Sequence, residues 1–309
     1  MKTSSRRNAA CCLLLWLFSL PLQALEVVDD TGRLVHLDRD ARRVITLSPH
    51  ATELVFAAGA GEKLVAVVAH SDYPAAARRL PSVGDATRLD RERILALRPD
   101  LVIAWDSGNR EKDLAWLNRA GVAVYRSEPR RLEHIPLDME RIGLLAGTAA
   151  AARENAARFR RRLEELRRRY GKTPPVRVFY QLWPRPLMTV GGGHIISEVL
   201  RLCGGVNLFS RLPALAARVS REAVILANPQ AIIAAADPGA PDPLGGWRRW
   251  STVAAVKSGR LYRIEADLIH RQSPRILDGA EQVCEALAQA GPGLPALDRQ
   301  STPETQQNH

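Results

Sequence analysis

The chain has 309 residues, 46% of them hydrophobic and 25% charged, enough for about two domains with real cores. Its formal net charge is +11, or +8 without Lys2, Arg6 and Arg7. That basic balance does not make it a nucleic-acid binder: it concentrates in residues 153–172, where no stacking aromatics accompany the arginines and Glu164 and Glu165 interleave with them, as on a solvated helix face.

In chain order, residues 1–24 read as a secretory signal peptide. Lys2, Arg6 and Arg7 form the basic end, residues 9–22 the apolar run, and Ala24 a small residue for cleavage. The run is short of the roughly 20 residues of a membrane span. Arg6-Arg7 lacks the rest of a twin-arginine pattern, so ordinary secretion is expected. Cys11 and Cys12 would leave with the signal, and neither stands where a lipoprotein cleavage cysteine would. Cys203 and Cys284 remain, an even pair that in an oxidising compartment suggests a disulfide, two buried free thiols being the alternative.

The segment VVDDTGRLVHL predicts a β-hairpin turning at Asp30-Thr31-Gly32. Strands follow at 43–48, 63–68, 100–105 and 121–126. From about Asp138 to Tyr170 the sequence has no proline and repeats Leu, Ala and Arg at helical spacing, which predicts one long connecting helix. Strands at 176–183, 230–235 and 259–264 come next, then a polar, proline-rich tail expected to be disordered. The organisation is thus a signal peptide (1–24), an N-terminal α/β lobe (25–137), a connecting helix (138–171), a C-terminal α/β lobe (172–290) and a tail (291–309).

The halves share a plan. TELVFAAGAG around Glu53 answers SEVLRLCGGV around Glu198, each glutamate followed six residues later by Gly59 or Gly204. RERILALRPDLVIA (91–104) answers REAVILANPQAIIA (221–234), with Glu92 and Glu222 each seven residues before a proline. The prolines at 99 and 229 end a helix and introduce a buried parallel strand. Two α/β lobes bridged by one long helix place a ligand in the cleft between them.

Several stretches then resemble one family: VITLSPHATELVFAAG, HSDYPAAARRLPSVGD, RERILALRPDLVIAWDSGN, VSREAVILANPQAII and RQSPRILDGAEQVCEAL. They are similar to the periplasmic cobalamin-binding proteins of bacterial vitamin importers (BtuF-like), within the wider class of helical-backbone metal-chelate receptors that also deliver ferric siderophores and haem. SP-x-x-TE and LxPDLV are shared across that class; SDYP (71–74), IAW-x-x-GN (103–109) and D-x-x-x-R-x-SPRI (267–276) discriminate more finely. The resemblance implies a protein of the periplasm that captures cobalamin or a related corrinoid as cargo and passes it to the membrane permease dimer of an ABC transporter. It implies a monomer without a cofactor or nucleic-acid partner, and a disulfide between Cys203 and Cys284. It places Asp267, Leu268, Ile269, His270 and Arg271 on the cleft, Trp105 on its wall, and His70 where the family often has a stacking tyrosine. Glu92 and Glu222 would pair with permease arginines, one from each lobe. Two family tryptophans are absent, at Ala86 and Ala216, and Trp183, Trp247 and Trp250 are the candidates to compensate from other loops.

Other classes are weaker. The sequence has no GxSxG, Walker A or HExxH motif, and GGGH (191–194) has the wrong spacing for a dinucleotide loop, so no enzyme is expected. A secreted metal-dependent hydrolase on His50, Glu53 and Asp267 is the remote alternative; a haem or ferric-siderophore receptor is the nearer one. His36, His134 and His194 are scattered, and surface positions are expected for them.

Overall fold

The computed structural model describes residues 24–85, 88–171 and 174–290. The segments expected as a signal peptide and a disordered tail, and Ala86, lie outside the described residues, apart from residue 24. Strands β1 (Leu25–Val28) and β2 (Leu34–Leu37) form the expected antiparallel hairpin. Its turn is held by the Asp29 carboxylate, which accepts from the Thr31 and Arg33 N–H groups at 2.9 and 3.0 Å. Val27 and Val35 face inward between exposed neighbours, the period-two pattern of a half-buried sheet.

The N-terminal lobe runs β3 (Val44–Thr46), α1 (Pro49–Ala57), β4 (Leu64–Ala66), α2 (Arg91–Ala96), β5 (Leu101–Trp105), α3 (Glu111–Arg119) and β6 (Ala123–Ser127). The strands are parallel in the order β4-β3-β5-β6. Their largely apolar runs are buried between helices, as parallel sheets require. Helix α1 starts where Ser48 accepts the Ala51 N–H at 3.2 Å and Pro49 presets the first turn.

The segment expected as one helix over 138–171 is two. Helix α4 (His134–Leu145) contains Asp138, and α5 (Ala149–Tyr170) is the long helix between the lobes. The break falls at Gly147, whose φ of +66° suits glycine, and a Cβ there would lie 2.1 Å from the Asp40 carboxylate. Gly143 then lets α5 approach, since a Cβ at that position would meet Ala152 at 2.3 Å. Helical periodicity continues through both helices, so it conceals the corner.

The C-terminal lobe runs β7 (Val176–Gln181), β8 (Trp183–Pro184), β9 (Leu187–Val190), α6 (Ile195–Leu202), β10 (Gly205–Asn207), β11 (Ala216–Arg218), α7 (Arg221–Ala227), β12 (Ala231–Ala236), α8 (Ala254–Lys257), β13 (Leu261–Glu265), α9 (Ala266–Ile269) and α10 (Ile276–Gln289). Its parallel sheet has the order β10-β7-β12-β13, the same permutation as the first lobe. The internal repeat is therefore structural. Gly59 and Gly204 both have φ +77°, Arg98 and Asn228 both +44°, and Ile94 and Val224 are both fully buried. The small sheet β11-β9-β8 and the short strand β10 were not predicted, and the strand expected over 176–183 breaks after Gln181. A disulfide joins Cys203, at the end of α6, to Cys284 in α10 across 81 residues. Closing such a loop stabilises the folded state by about 4.5 kcal/mol in the chain-entropy account.

Candidate functional site

The carboxyl ends of the parallel strands of both lobes converge on a cleft. There a hollow of about 470 Å³ is lined from the first lobe by Trp105, Ser107, Glu128, Pro129 and Arg130, and from the second by Leu182, Trp183, Gly193, His194, Ile195, Leu215, Ala216, His270 and Gln272. A second hollow of about 620 Å³ opens beside it on the C-terminal lobe and shares Leu182, Trp183 and His270 with it. This is where open parallel sheets bind ligands: just beyond the strand ends the backbone turns outward and leaves a crevice.

Trp105 is placed by the two residues that end its motif. A Cβ at Gly108 would sit 1.9 Å from the indole, so glycine is needed for the ring to fold over the loop. Asn109 accepts the Trp105 backbone N–H at 2.7 Å and donates to the Leu47 carbonyl at 3.0 Å, pinning the end of β5 to the segment that follows β3. His50 packs edge-on against the indole at 5.4 Å. The Trp105 indole N–H and the Gln272 side-chain oxygen, a donor and an acceptor bordering the hollow, are buried without a hydrogen-bond partner.

On the opposite wall Trp183 is 58% exposed, a large apolar face on the ridge between the two hollows. Trp247 is buried, its N–H donating to Gln181 at 2.7 Å, and its ring lines the larger hollow. Trp250 lines neither hollow. Ala216 leaves open space on the interlobe wall.

His194 was expected at the surface and instead faces the cleft. The preceding glycines explain why: a Cβ at Gly191 or Gly192 would strike the carbonyls of Ala214 or Ser210 at 2.2 and 2.3 Å, so the chain passes closely under the 210–215 loop. Its Nδ1 accepts the Ile196 N–H at 3.1 Å, and burial pulls its pKa down to about 4. His270 Nε2 pairs with the Tyr180 hydroxyl at 3.0 Å, and burial lowers its pKa also. Both imidazoles are therefore neutral at pH 7.

The other residues expected on the cleft lie beyond the linings of the two hollows. Leu268 and Ile269 are buried, Ile269 in the main core; His70, exposed with φ +65°, lines neither hollow. Asp267 and Arg271 form an ion pair at 2.7 Å and also lie outside both linings. Arg271 belongs to a clasp between the lobes. It reaches Glu53 at 3.0 Å and Asp72 at 2.7 Å, while Arg275 reaches Glu53 at 2.6 Å and stacks over Tyr73 at 3.8 Å. The Ser273 hydroxyl donates to Glu53 at 2.6 Å. Three motifs far apart in sequence, the TE of α1, SDYP and SPRI, thus meet in one cluster: Glu53 is held by Arg271, Arg275 and Ser273, and the SDYP residues Asp72 and Tyr73 brace the two arginines. With its oxygens engaged by two guanidiniums and a hydroxyl, Glu53 is not free to hold a metal, which removes the basis for a hydrolase centre with His50.

Glu198, the counterpart of Glu53 in the repeat, crosses the other way and accepts the Leu132 N–H at 2.7 Å. Glu92 and Glu222 are each the second residue of a short helix, α2 or α7, and both are exposed. Asp90 and Ser220 cap these helices by accepting N–H groups at 3.0 Å. The Glu222 carboxylate is held below its ordinary pKa by its own N–H and the Ser220 hydroxyl.

Residues 44–268 match the periplasmic binding protein family. A vitamin B12-binding protein of Vibrio cholerae is 40% identical over 248 residues, 80% of this chain and 89% of that one. The crystal structure of the periplasmic vitamin B12-binding protein BtuF of Vibrio cholerae superposes with a TM-score of 0.75 at 39% identity, over 81% of this chain and 98% of that one. A periplasmic haem-binding protein of Pseudomonas aeruginosa superposes with a TM-score of 0.69 at 26% identity, over 81% and 94%.

Proposed function

This chain belongs to the periplasmic binding protein family, and we propose that it captures cobalamin or a related corrinoid between its lobes and delivers it to the permease of an ABC importer. The observation that carries this reading is the 40% identity to a vitamin B12-binding protein over 89% of that protein's length. The cleft supports it chemically. Trp105 and Trp183 offer flat apolar faces to a macrocycle. Trp183 and the open space at Ala216 provide a different aromatic wall from that of the family tryptophans. Asp267 and Arg271 serve this site indirectly, by holding the lobes in register. Residues 1–24 are the export signal, and Glu92 and Glu222 pair with permease arginines.

A haem receptor is the second reading. Two neutral imidazoles, His194 and His270, border the interlobe hollow, and neutral imidazole is an iron ligand. Calorimetric titration with cyanocobalamin, haem and ferric chelates separates the readings. Saturable binding of cyanocobalamin is expected; no binding of any corrinoid at micromolar concentration overturns the first reading.

A further inference from the structure

The two hollows differ in charge. The interlobe hollow carries one guanidinium, Arg130, and one carboxylate, Glu128. The hollow on the C-terminal lobe gathers Arg185, Arg221 and Arg249 from three separate segments: the β8–β9 turn, the start of α7 and the loop after Trp247. Of the two carboxylates lining it, Asp242 is engaged by Arg248 at 3.1 Å, a residue outside the lining, which leaves Asp237 against three cations. Arg249 is partly held in place, its guanidinium lying over the Trp250 ring at 5.7 Å. A corrin ring rimmed by neutral amides gives such a cluster nothing to neutralise. The nucleotide arm of a complete corrinoid does, because it carries a phosphodiester, and guanidiniums are the side chains best matched to phosphate oxygens. The shared ridge of Leu182, Trp183 and His270 makes the hollows contiguous, so one ligand can occupy both.

We propose that the C-terminal-lobe hollow is a phosphodiester subsite, through which the protein selects nucleotide-bearing corrinoids over truncated ones. This deepens the reading of the cleft as a corrinoid site and rests on it. The test compares cyanocobalamin, which has the phosphodiester, with dicyanocobinamide, which lacks the whole nucleotide arm, on the unaltered protein and on the double variant Arg185→Ala, Arg249→Ala. Both arginines are exposed, so the variant should fold; Arg221 is left intact because it adjoins Glu222. The unaltered protein is expected to bind cyanocobalamin more tightly, with an affinity that falls more steeply with salt than that of cobinamide. The double variant should weaken cyanocobalamin about tenfold and leave cobinamide unchanged. Equal losses for both ligands, or no loss for either, overturn the subsite while leaving the corrinoid reading intact. Failure of the unaltered protein to bind either ligand overturns the corrinoid reading and the subsite together.

Discussion

Glu53 is a buried carboxylate whose neutralisation depends on the other lobe. Its side chain is 1% exposed, and Arg271, Arg275 and Ser273 supply its partners. Replacing it by Gln would leave two partly buried guanidiniums short of charge. The expected cost is about 3 kcal/mol, measurable by urea unfolding, since breaking a buried pair removes its attraction without restoring its solvation. A change within a few tenths would show that the clasp contributes nothing net. His50 gives a pH dependence. Burial, aided by the nearby Arg271 guanidinium, holds its pKa down at about 3. Its unfolded-state value is near 6.5. Between those values the unfolded chain binds more protons, so this stability is fully present above pH of about 6.5 and is lost as pH falls toward 3. His194 acts in the same sense, with its pKa near 4. Melting temperature should therefore drop as pH is lowered from about 7 to 4.5, and His50→Gln should flatten part of that slope. A single sequence could suggest none of these partners: Glu53 and Arg271 are 218 residues apart, and what joins them is the closure of one lobe against the other.

Among the elements, the hairpin β8–β9 matters most for the cleft, because its first residue is Trp183. Since that ring is 58% exposed, Trp183→Ala should leave thermal stability nearly unchanged and weaken cyanocobalamin binding by about 10–30-fold. A large fall in melting temperature would instead mean that the ring braces the lobe. The sequence revealed β5 and β12 because they are unbroken apolar runs after helix-ending prolines, and β3 because it is a run of β-branched residues. It concealed β8–β9, whose tip of Trp, Pro, Arg and Pro carries neither period. It also concealed the α4–α5 corner, because the apolar stripe runs on past Gly147 and only close packing against Asp40 shows why the chain must turn. The same holds for His194: histidine by itself signals nothing, and its place on the cleft follows from two glycines, Gly191 and Gly192, passing under a neighbouring loop.

At the scale of the whole molecule, the repeat seen in the sequence proved to be the architecture, two sheets with the same strand order. If Glu92 and Glu222 meet the permease, reversing both charges should abolish uptake in cells while calorimetry finds ligand affinity unchanged. A matching loss of affinity would assign them to the cleft instead. Because α5 and the clasp both span the lobes, small-angle scattering should detect only a slight compaction when ligand is added. What the sequence could not supply is the division of labour among its motifs. SDYP and SPRI stood out in the sequence as marks of the family, and in the fold they help to hold the lobes together. The paired glutamates Glu53 and Glu198 carry that further. Each half presents a carboxylate that is satisfied only by the other half, so the two are complementary pieces of one lock. A nick after Gly171 should leave them associated, and the separately expressed halves, each poorly folded alone, should reconstitute a cleft when mixed.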